Sequence, residues 1–594
     1  MDTSPVTPQA ADAVETPVPG DESSIWGSDV FAEMLRRLRV PFVALNPGAS
    51  FRGLHDSIVN RLGNTDPRML LCLHEEHAVS IAHGWAKITG EPMGVILHSN
   101  VGLMHGTMAI FNAWCDRVPM LIFGATGPVD AALRRPWIDW LHTSRDQGAL
   151  IRNYVKWDDQ PASVAAAIEA MLRANVITRT APHGPCYINF DVSLQEKRLD
   201  SMPELPDPAR YQPPRPPAPA QADVEEAARM LRDAATPVIL AGRVSRRPED
   251  WARRVALAEA LGATVLTDLR VPAAFPTDHP LHAGGPAYFL DERSKQALAE
   301  ADVVLSLDWL DPAGTIRQAG GSSGRLIQAS TDYQLHGGWG MEHQALPAVD
   351  LHLACDPDIA LHHIADALGV GSGEIPADAP TRPATAMPEA DAPLDMRTLS
   401  GALGAGLKDE CVSLVRLPLG WAGDTWHFRH PLDYLGTDGG GGIGSGPGML
   451  IGAAIALRGS GRLPVAVLGD GDCMMGASAW WTGAHYRVPF VAVISNNRSF
   501  FNDEVHQERV ALMRQRPVEN KWIGQRISDP DIDIAAVARA QGLEAIGPVH
   551  TAGELADAVR QAVRRARDGQ GVLIDARVTP GYNPNMLAGL TKSD

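Results

Sequence analysis

LPVAVLGDGDCMMGASAWWTGAHYRVPFVAVISNN, residues 463–497, is the stretch that decides the fold. Two short runs, LPVAVLG and PFVAVIS, are apolar throughout, and the residues from Asp472 to Arg487 between them read as one crossover helix. A strand that is apolar at every position has both faces covered, which places it in a parallel sheet with helices on either side. In open sheets of this kind ligands bind off the carboxyl ends of the strands. Those ends carry Gly469-Asp470-Gly471 after the first strand and Asn496-Asn497 after the second. A carboxylate and an amide oxygen meeting there, with glycines letting backbone come close, suit a Mg2+ ion that bridges a diphosphate. Mg2+ takes hard oxygen ligands and shares them with phosphates. Nearby helix N-termini would add oriented N–H donors.

The same alternation runs outward through the chain. PFVALN, MLLCLH, MGVILHS and PMLIFGA form a first block; PVILAG, ATVLTDL, ADVVLSLD and VDLHLAC a second; CVSLVRL and GVLIDARV complete the last. Pro-rich stretches at 201–222 and 371–394 have little apolar periodicity and read as linkers. Three doubly wound parallel-sheet α/β domains are expected, at 22–200, 223–370 and 395–594, behind a disordered tail at 1–21. With 52 Lys and Arg against 70 Asp and Glu, the net charge of −18 disfavours nucleic acid or an anionic membrane as a non-specific partner. No apolar run approaches the roughly 20 residues that span a bilayer. The N-terminus lacks the basic and apolar regions of a signal peptide. The cysteines at 72, 115, 186, 355, 411 and 473 form no C-x-x-C pair, so reduced thiols in the cytoplasm are expected.

The Gly-Asp-Gly and Asn-Asn pair, in this order and spacing, resembles the diphosphate-binding signature of thiamine-diphosphate (ThDP) enzymes. The resemblance implies Asp470, Asn497 and the Ser499 carbonyl as Mg2+ ligands, with Gly469, Gly471 and Asp472 about the diphosphate. It also implies an activating glutamate in the first block. LCLHEEHAVSIAHGWAKITG (71–90) is similar to the family segment that carries it, with Trp85 in the usual Tyr position, and Glu75 takes that role. There a carboxyl bonded to the aminopyrimidine tunes acid–base chemistry carried out by the cofactor itself. TDGGGGIGSGPGMLIGAAIALRG (437–459) resembles the Gly-rich segment that bends the cofactor, with Ile443 as the bulky residue and Gly444 beside it.

On the substrate side, MGVILHSNVGLMHGTMAIFNAW (93–114) is similar to benzoylformate decarboxylase and implies His98 as an active-site histidine. ALNPGAS (44–50) fits the same branch but departs from it: Ala49 stands where that branch has a carboxylate-binding serine, and Ser50 follows one place on. ADVVLSLDWLDPAGT, in the middle block, offers no counterpart for a second active-site histidine. Further pocket residues are read from three segments. RRPWIDWLHTS brings Trp137, Trp140 and His142; LGWAGDTWHFRHP brings Trp421, Trp426 and His427; NNRSFFNDEVHQE brings Phe500, Phe501 and His506. Such a pocket suits a bulky or aromatic substrate. Acetolactate-synthase-like proteins share the layout, yet ILAGRVSRRPEDW (239–251) shows no FAD-contacting pattern, which leaves FAD possible but unsupported.

The expected function is ThDP- and Mg2+-dependent decarboxylation of a 2-oxo acid, with acyloin carboligation as a second outcome. Acetolactate-synthase-like transfer and hydrolysis of a cyclic 1,2-diketone are the alternatives within this chemistry. A non-catalytic cofactor-binding scaffold would not need Glu75. The resemblance further implies a homodimer or homotetramer in which Glu75 reaches the cofactor held by the third domain of a partner subunit.

Overall fold

The computed structural model describes residues 15–18, 24–322, 324–332, 346–582 and 584–591. Most of the tail expected over 1–21 lies outside them. Three parallel sheets follow one another along the chain. The first joins β1 (Phe42–Leu45), β2 (Arg68–Leu71), β3 (Gly94–Leu97), β4 (Met120–Thr126), β5 (Trp157–Asp159) and β6 (Pro185–Asp191) in the order β2-β1-β3-β4-β6-β5. The second joins β7 (Pro237–Ala241), β8 (Thr264–Thr267), β9 (Val303–Leu307), β10 (Arg325–Ala329) and β11 (Leu351–Leu353) in the order β8-β7-β9-β10-β11. The third joins β12 (Val412–Arg416), β13 (Leu463–Gly469), β14 (Phe490–Asn496), β15 (Glu544–Val549) and β16 (Gly571–Arg577) in the order β12-β13-β14-β16-β15. β4, β6 and β14 are buried along their whole length, as strands covered on both faces must be.

Every apolar run singled out in the sequence is a strand. The sequence reading passed over β5, β6, β10 and β15. β5 and β15 are half-exposed edge strands whose polar residues broke the apolar pattern. β6 is central but interrupts its apolar run with Asn189, which bonds Gln160 inside the domain. The stretch expected as one crossover helix is two, α4 (Asp470–Met475) and α5 (Ala479–His485). The break falls at Gly476, where a Cβ would meet the Gly444 carbonyl oxygen at 2.4 Å. The Gly-rich loop passes there against backbone, so the helix turns away from it.

Two helices bring the first and third domains together. α1 (Glu75–Thr89) lies on α3 (Gly446–Ala456) with backbone against backbone. A Cβ on Gly84 would fall 2.1 Å from the Met449 carbonyl oxygen, and one on Gly452 would fall 1.9 Å from that of Ile81. Only glycine permits these approaches. Around them Thr482 donates to the Leu71 carbonyl at 2.9 Å, the Leu71 N–H donates to the Tyr486 hydroxyl at 2.8 Å, and His77 Nε2 pairs with Ser478 Oγ at 2.8 Å. The core that results runs through both domains without a break, from Ala78 and Ile81 to Leu450 and Ile494. Among the described residues no helix is long and apolar enough to cross a membrane, and all six cysteines are free.

Candidate active site

The carboxyl ends of β13 and β14 place Asp470 and Asn497 side by side. Asp470 is 3% exposed; its Oδ1 accepts from the Gly471 N–H at 2.8 Å and its Oδ2 from those of Arg498 and Ser499. Asn497 Oδ1 accepts from that same Ser499 N–H at 2.9 Å, so the two side-chain oxygens converge on one amide. Burial pushes the Asp470 carboxyl up to about 6, against the backbone N–H groups that pull it down. Beside it Gly469 opens on space: a Cβ there would meet nothing within 4 Å. Gly471 is tight, because a Cβ would lie 2.6 Å from the Phe500 ring.

The Gly-rich loop is held over this corner by Asp472 and by three residues that the sequence reading left out, Arg416, Asp438 and Asn112. Asp472 is expected at the diphosphate, and its Oδ1 accepts from the Gly444 and Gly446 N–H groups at 2.7 and 3.2 Å. Its Oδ2 lies 2.9 Å from Arg416 Nε, and the same guanidinium reaches Asp438 at the start of the loop. Asn112 clamps the loop from the first domain: its Nδ2 donates to the Gly442 carbonyl at 3.0 Å and its Oδ1 accepts from the Gly442 N–H at 3.2 Å. Ile443, at the tip, keeps 36% of its surface exposed. Arg416 carried a signal in sequence, being a charge at the carboxyl end of an apolar strand. Asn112 carried one only as part of N-A-W.

Glu75 opens α1, and His74 caps the helix by accepting the Glu76 N–H at 3.1 Å. The Glu75 carboxyl is 6% exposed and faces helix α2 (Ser99–Cys115), where a Cβ on Gly102 would sit 2.9 Å from its Oε1. Its Oε2 lies 3.1 Å from His105 Nδ1, a partner that sequence alone does not reveal. Next to Glu75, Glu76 comes up to Gly444 of the Gly-rich loop, and burial and the Asp472 charge raise its carboxyl above the ordinary range. Within one chain the α1–α3 contact thus brings Glu76, and not Glu75, up to the Gly-rich loop.

His98, at the end of β3, stands in a chain of polar groups. Ser50 Oγ is 2.9 Å from its Nδ1, and His142 Nδ1 is 3.2 Å from its Nε2. Gly48 makes room for the ring, since a Cβ there would lie 2.3 Å from it. Burial and the neighbouring His142 hold His98 below the usual histidine range. The segment bearing His142 is tied down by Ser99, whose hydroxyl donates to the His142 carbonyl. Ser99 is fully buried at φ +49°, a left-handed conformation that costs a serine about 1–3 kcal/mol and persists where the surroundings enforce it. The histidine that stands beside His98 thus comes from the first domain and not from the middle block. Ser50, one place past Ala49, is the residue that touches His98; Ala49 itself is exposed.

The remaining pocket candidates divide. Phe500 packs over Gly471, and Phe501 meets Tyr582 edge-on at 5.1 Å. His506 follows on the helix Phe501–Met513 and is half-buried. Trp137 and Trp140 are 68% and 61% exposed on the segment beside His142. Trp421 and Trp426 do not join the site. Each is 2% exposed, and they pack on one another in the apolar core of the third domain, an environment that suits large aromatics as well as a pocket does. His427, next in the chain, lies toward Asp278 of the middle domain.

The residues present fit a metal-bound diphosphate and an aminopyrimidine. The corner at Asp470 offers hard oxygens and open space at Gly469, while the buried cation Arg416 is already engaged by two carboxylates. A diphosphate held at this corner would need a cation to offset the Asp470 charge, and the hard oxygens there suit a divalent ion. Residues 25–150, 224–334 and 418–576 match the N-terminal TPP-binding, central and C-terminal TPP-binding domains of thiamine pyrophosphate enzymes, in that order. The chain is 26% identical over 560 residues to benzoylformate decarboxylase of Pseudomonas aeruginosa, covering 90% of this chain and 96% of that protein. It is 30% identical over 292 residues to sulfoacetaldehyde acetyltransferase of Rhodobacter capsulatus, a match covering 48% of this chain and 46% of that protein. The solved thiamine diphosphate-dependent 4-hydroxybenzoylformate decarboxylase of Rhodococcus jostii superimposes with a TM-score of 0.74 at 21% identity, covering 94% of this chain and all of that one.

Proposed function

Since the chain belongs to the thiamine pyrophosphate enzymes, as a ThDP-dependent member of the decarboxylase and acetolactate synthase type, we propose that it decarboxylates a bulky or aromatic 2-oxo acid without oxidation. In this reading Asp470, Asn497 and the Ser499 carbonyl hold Mg2+, and the ion holds the diphosphate. When bound, the cofactor supplies an electron sink for the bond broken beside the carbonyl. Glu75 gives and takes a proton on the pyrimidine ring from a buried carboxyl whose position is set by the first turn of α1. Ile443 and Gly444 shape the loop that orients the cofactor between the two domains. A site walled in between the two domains would exclude water from the reacting groups.

One observation carries decarboxylation above the alternatives. Ser50, His98 and His142 form a hydrogen-bonded chain with links of 2.9 and 3.2 Å. Such a chain can deliver a proton to carbon and release an aldehyde, the step a pure transferase does not need. His98 holds the proton nearest the substrate, and Ser50 and His142 orient its ring from both sides. Phe500, Phe501 and the His142 segment would bound the substrate. The active assembly proposed is a homodimer or homotetramer in the cytoplasm.

Purified protein with ThDP and Mg2+, given a panel of aliphatic to aromatic 2-oxo acids, is expected to release CO2 and an aldehyde. An acyloin beside the aldehyde would add carboligation. CO2 with an acyl group passed wholly to a second 2-oxo acid would make it acetolactate-synthase-like. A ring-opened acid from a cyclic 1,2-diketone, without CO2, would make it a hydrolase.

A further inference from the structure

Glu75 does not stand alone. A ring nitrogen of His74, a ring nitrogen of His105 and a carboxylate oxygen of Glu75 all lie within 4.8 Å of one another. His74 and Glu75 are consecutive at the start of α1, and His105 comes across from α2, one turn beyond Gly102, where the two helices approach. The His74 and His105 rings stack at 4.9 Å with an 18° tilt, and His105 Nδ1 is already 3.1 Å from Glu75 Oε2. His77 is close to His74, with its Nε2 paired to Ser478 Oγ at 2.8 Å and its Nδ1 buried, but its nitrogens do not join the group of three. The His105 side chain is 57% exposed, which leaves a path from solvent.

Two imidazoles and one carboxylate around a point, with the remaining side open to water, are the donor set of zinc and its late first-row neighbours. Mg2+ prefers six oxygens and would stay with the all-oxygen corner at Asp470. We propose that His74, Glu75 and His105 form a second, separate metal site for Zn2+-class ions. An ion there occupies the carboxylate that the cofactor needs, so it acts as an antagonist of cofactor binding. That last consequence rests on the assignment of Glu75 given above; the ion site itself does not.

The test uses the full, untagged chain free of ThDP, titrated with Co2+ as a spectroscopic stand-in for Zn2+. One equivalent of Co2+ should give a visible d–d band of four- or five-coordinate metal, which Zn2+ then abolishes. The band should persist in Asp470→Ala and vanish in His105→Ala, an exposed position where folding is easily checked by circular dichroism. Loss of this ligand should weaken Zn2+ binding more than ~100-fold, since even an outer-shell partner is worth roughly 10–100-fold. No band in the parent chain, or an unchanged one in His105→Ala, overturns the site. ThDP with Mg2+ is added last and should displace the Co2+. If the site stands and the cofactor binds without displacing it, the assignment of Glu75 to the cofactor fails, not the ion site.

Discussion

Glu75 combines burial with two neighbours of opposite consequence: Gly102 gives it room and His105 gives it a hydrogen-bond partner. Glu75→Gln preserves the shape and removes the titratable proton. It is expected to lower kcat by about 10²–10⁴-fold, the usual worth of a general acid or base, while calorimetry shows ThDP affinity largely unchanged. A normal kcat would remove Glu75 from the mechanism. At His98 burial and His142 both act to keep the ring neutral, so its protonation lies below the ordinary value near 6.5. Taking His142 away relieves both effects. His142→Ala should therefore move the alkaline limb of the kcat–pH profile upward, since His98 acts as proton donor, and a limb that stays in place would detach His142 from the relay. The motif glutamate and histidine were legible through the family resemblance, which points to each at the end of a strand. Ser50 and His105 could not be assigned their contacts, since their partners lie 48 and 30 positions away in the chain and only folding brings them close.

At the level of elements, the Gly-rich loop is suspended from a buried ion triad. Arg416 lies between Asp438 and Asp472, each nearly inaccessible. Removing one partner of a buried pair leaves uncompensated charge and costs about 3–5 kcal/mol. Arg416→Met should lower the urea midpoint accordingly and weaken ThDP as well, because Asp472 is what fixes the Gly444 and Gly446 N–H groups. The α1–α3 crossing offers a second test. A side chain at Gly452 meets backbone, not a movable side chain, so Gly452→Val must push the helices apart, at about 1–3 kcal/mol for an overpacked contact. We expect a lower Tm together with weaker cofactor binding, the opposite pattern to Glu75→Gln. The glycines of α3 were legible as a Gly-rich run, but their purpose was not: a lone sequence cannot say which backbone will press on which. The same holds for the break at Gly476, where a helix period continued in sequence but the loop carbonyl stood in its way.

Over the whole molecule the central strands could be read directly, because a strand covered on both faces leaves an unbroken apolar run. The half-exposed edge strands β5 and β15 lost that mark, and aromatic Trp421 and Trp426 looked like pocket residues because core and pocket select the same side chains. Two surfaces suit the proposed assembly. Trp137, Trp140 and Leu141 stand out from the first domain, and Leu512, Met513, Trp522 and Ile523 from the third, all of them 42% exposed or more. Light scattering should report a dimer or tetramer under assay conditions, and a monomeric mass in active samples would withdraw the assembly. The backbone-on-backbone contact between α1 and α3 has a reach beyond its own stability. A joint made of main chain has no rotamers to rearrange and no side chain for drift to exchange, so it registers the proton-carrying half against the diphosphate half like a dowel. Loops bearing Phe500 and His142 are then free to be remodelled for new substrates, and the expensive alignment survives every such revision.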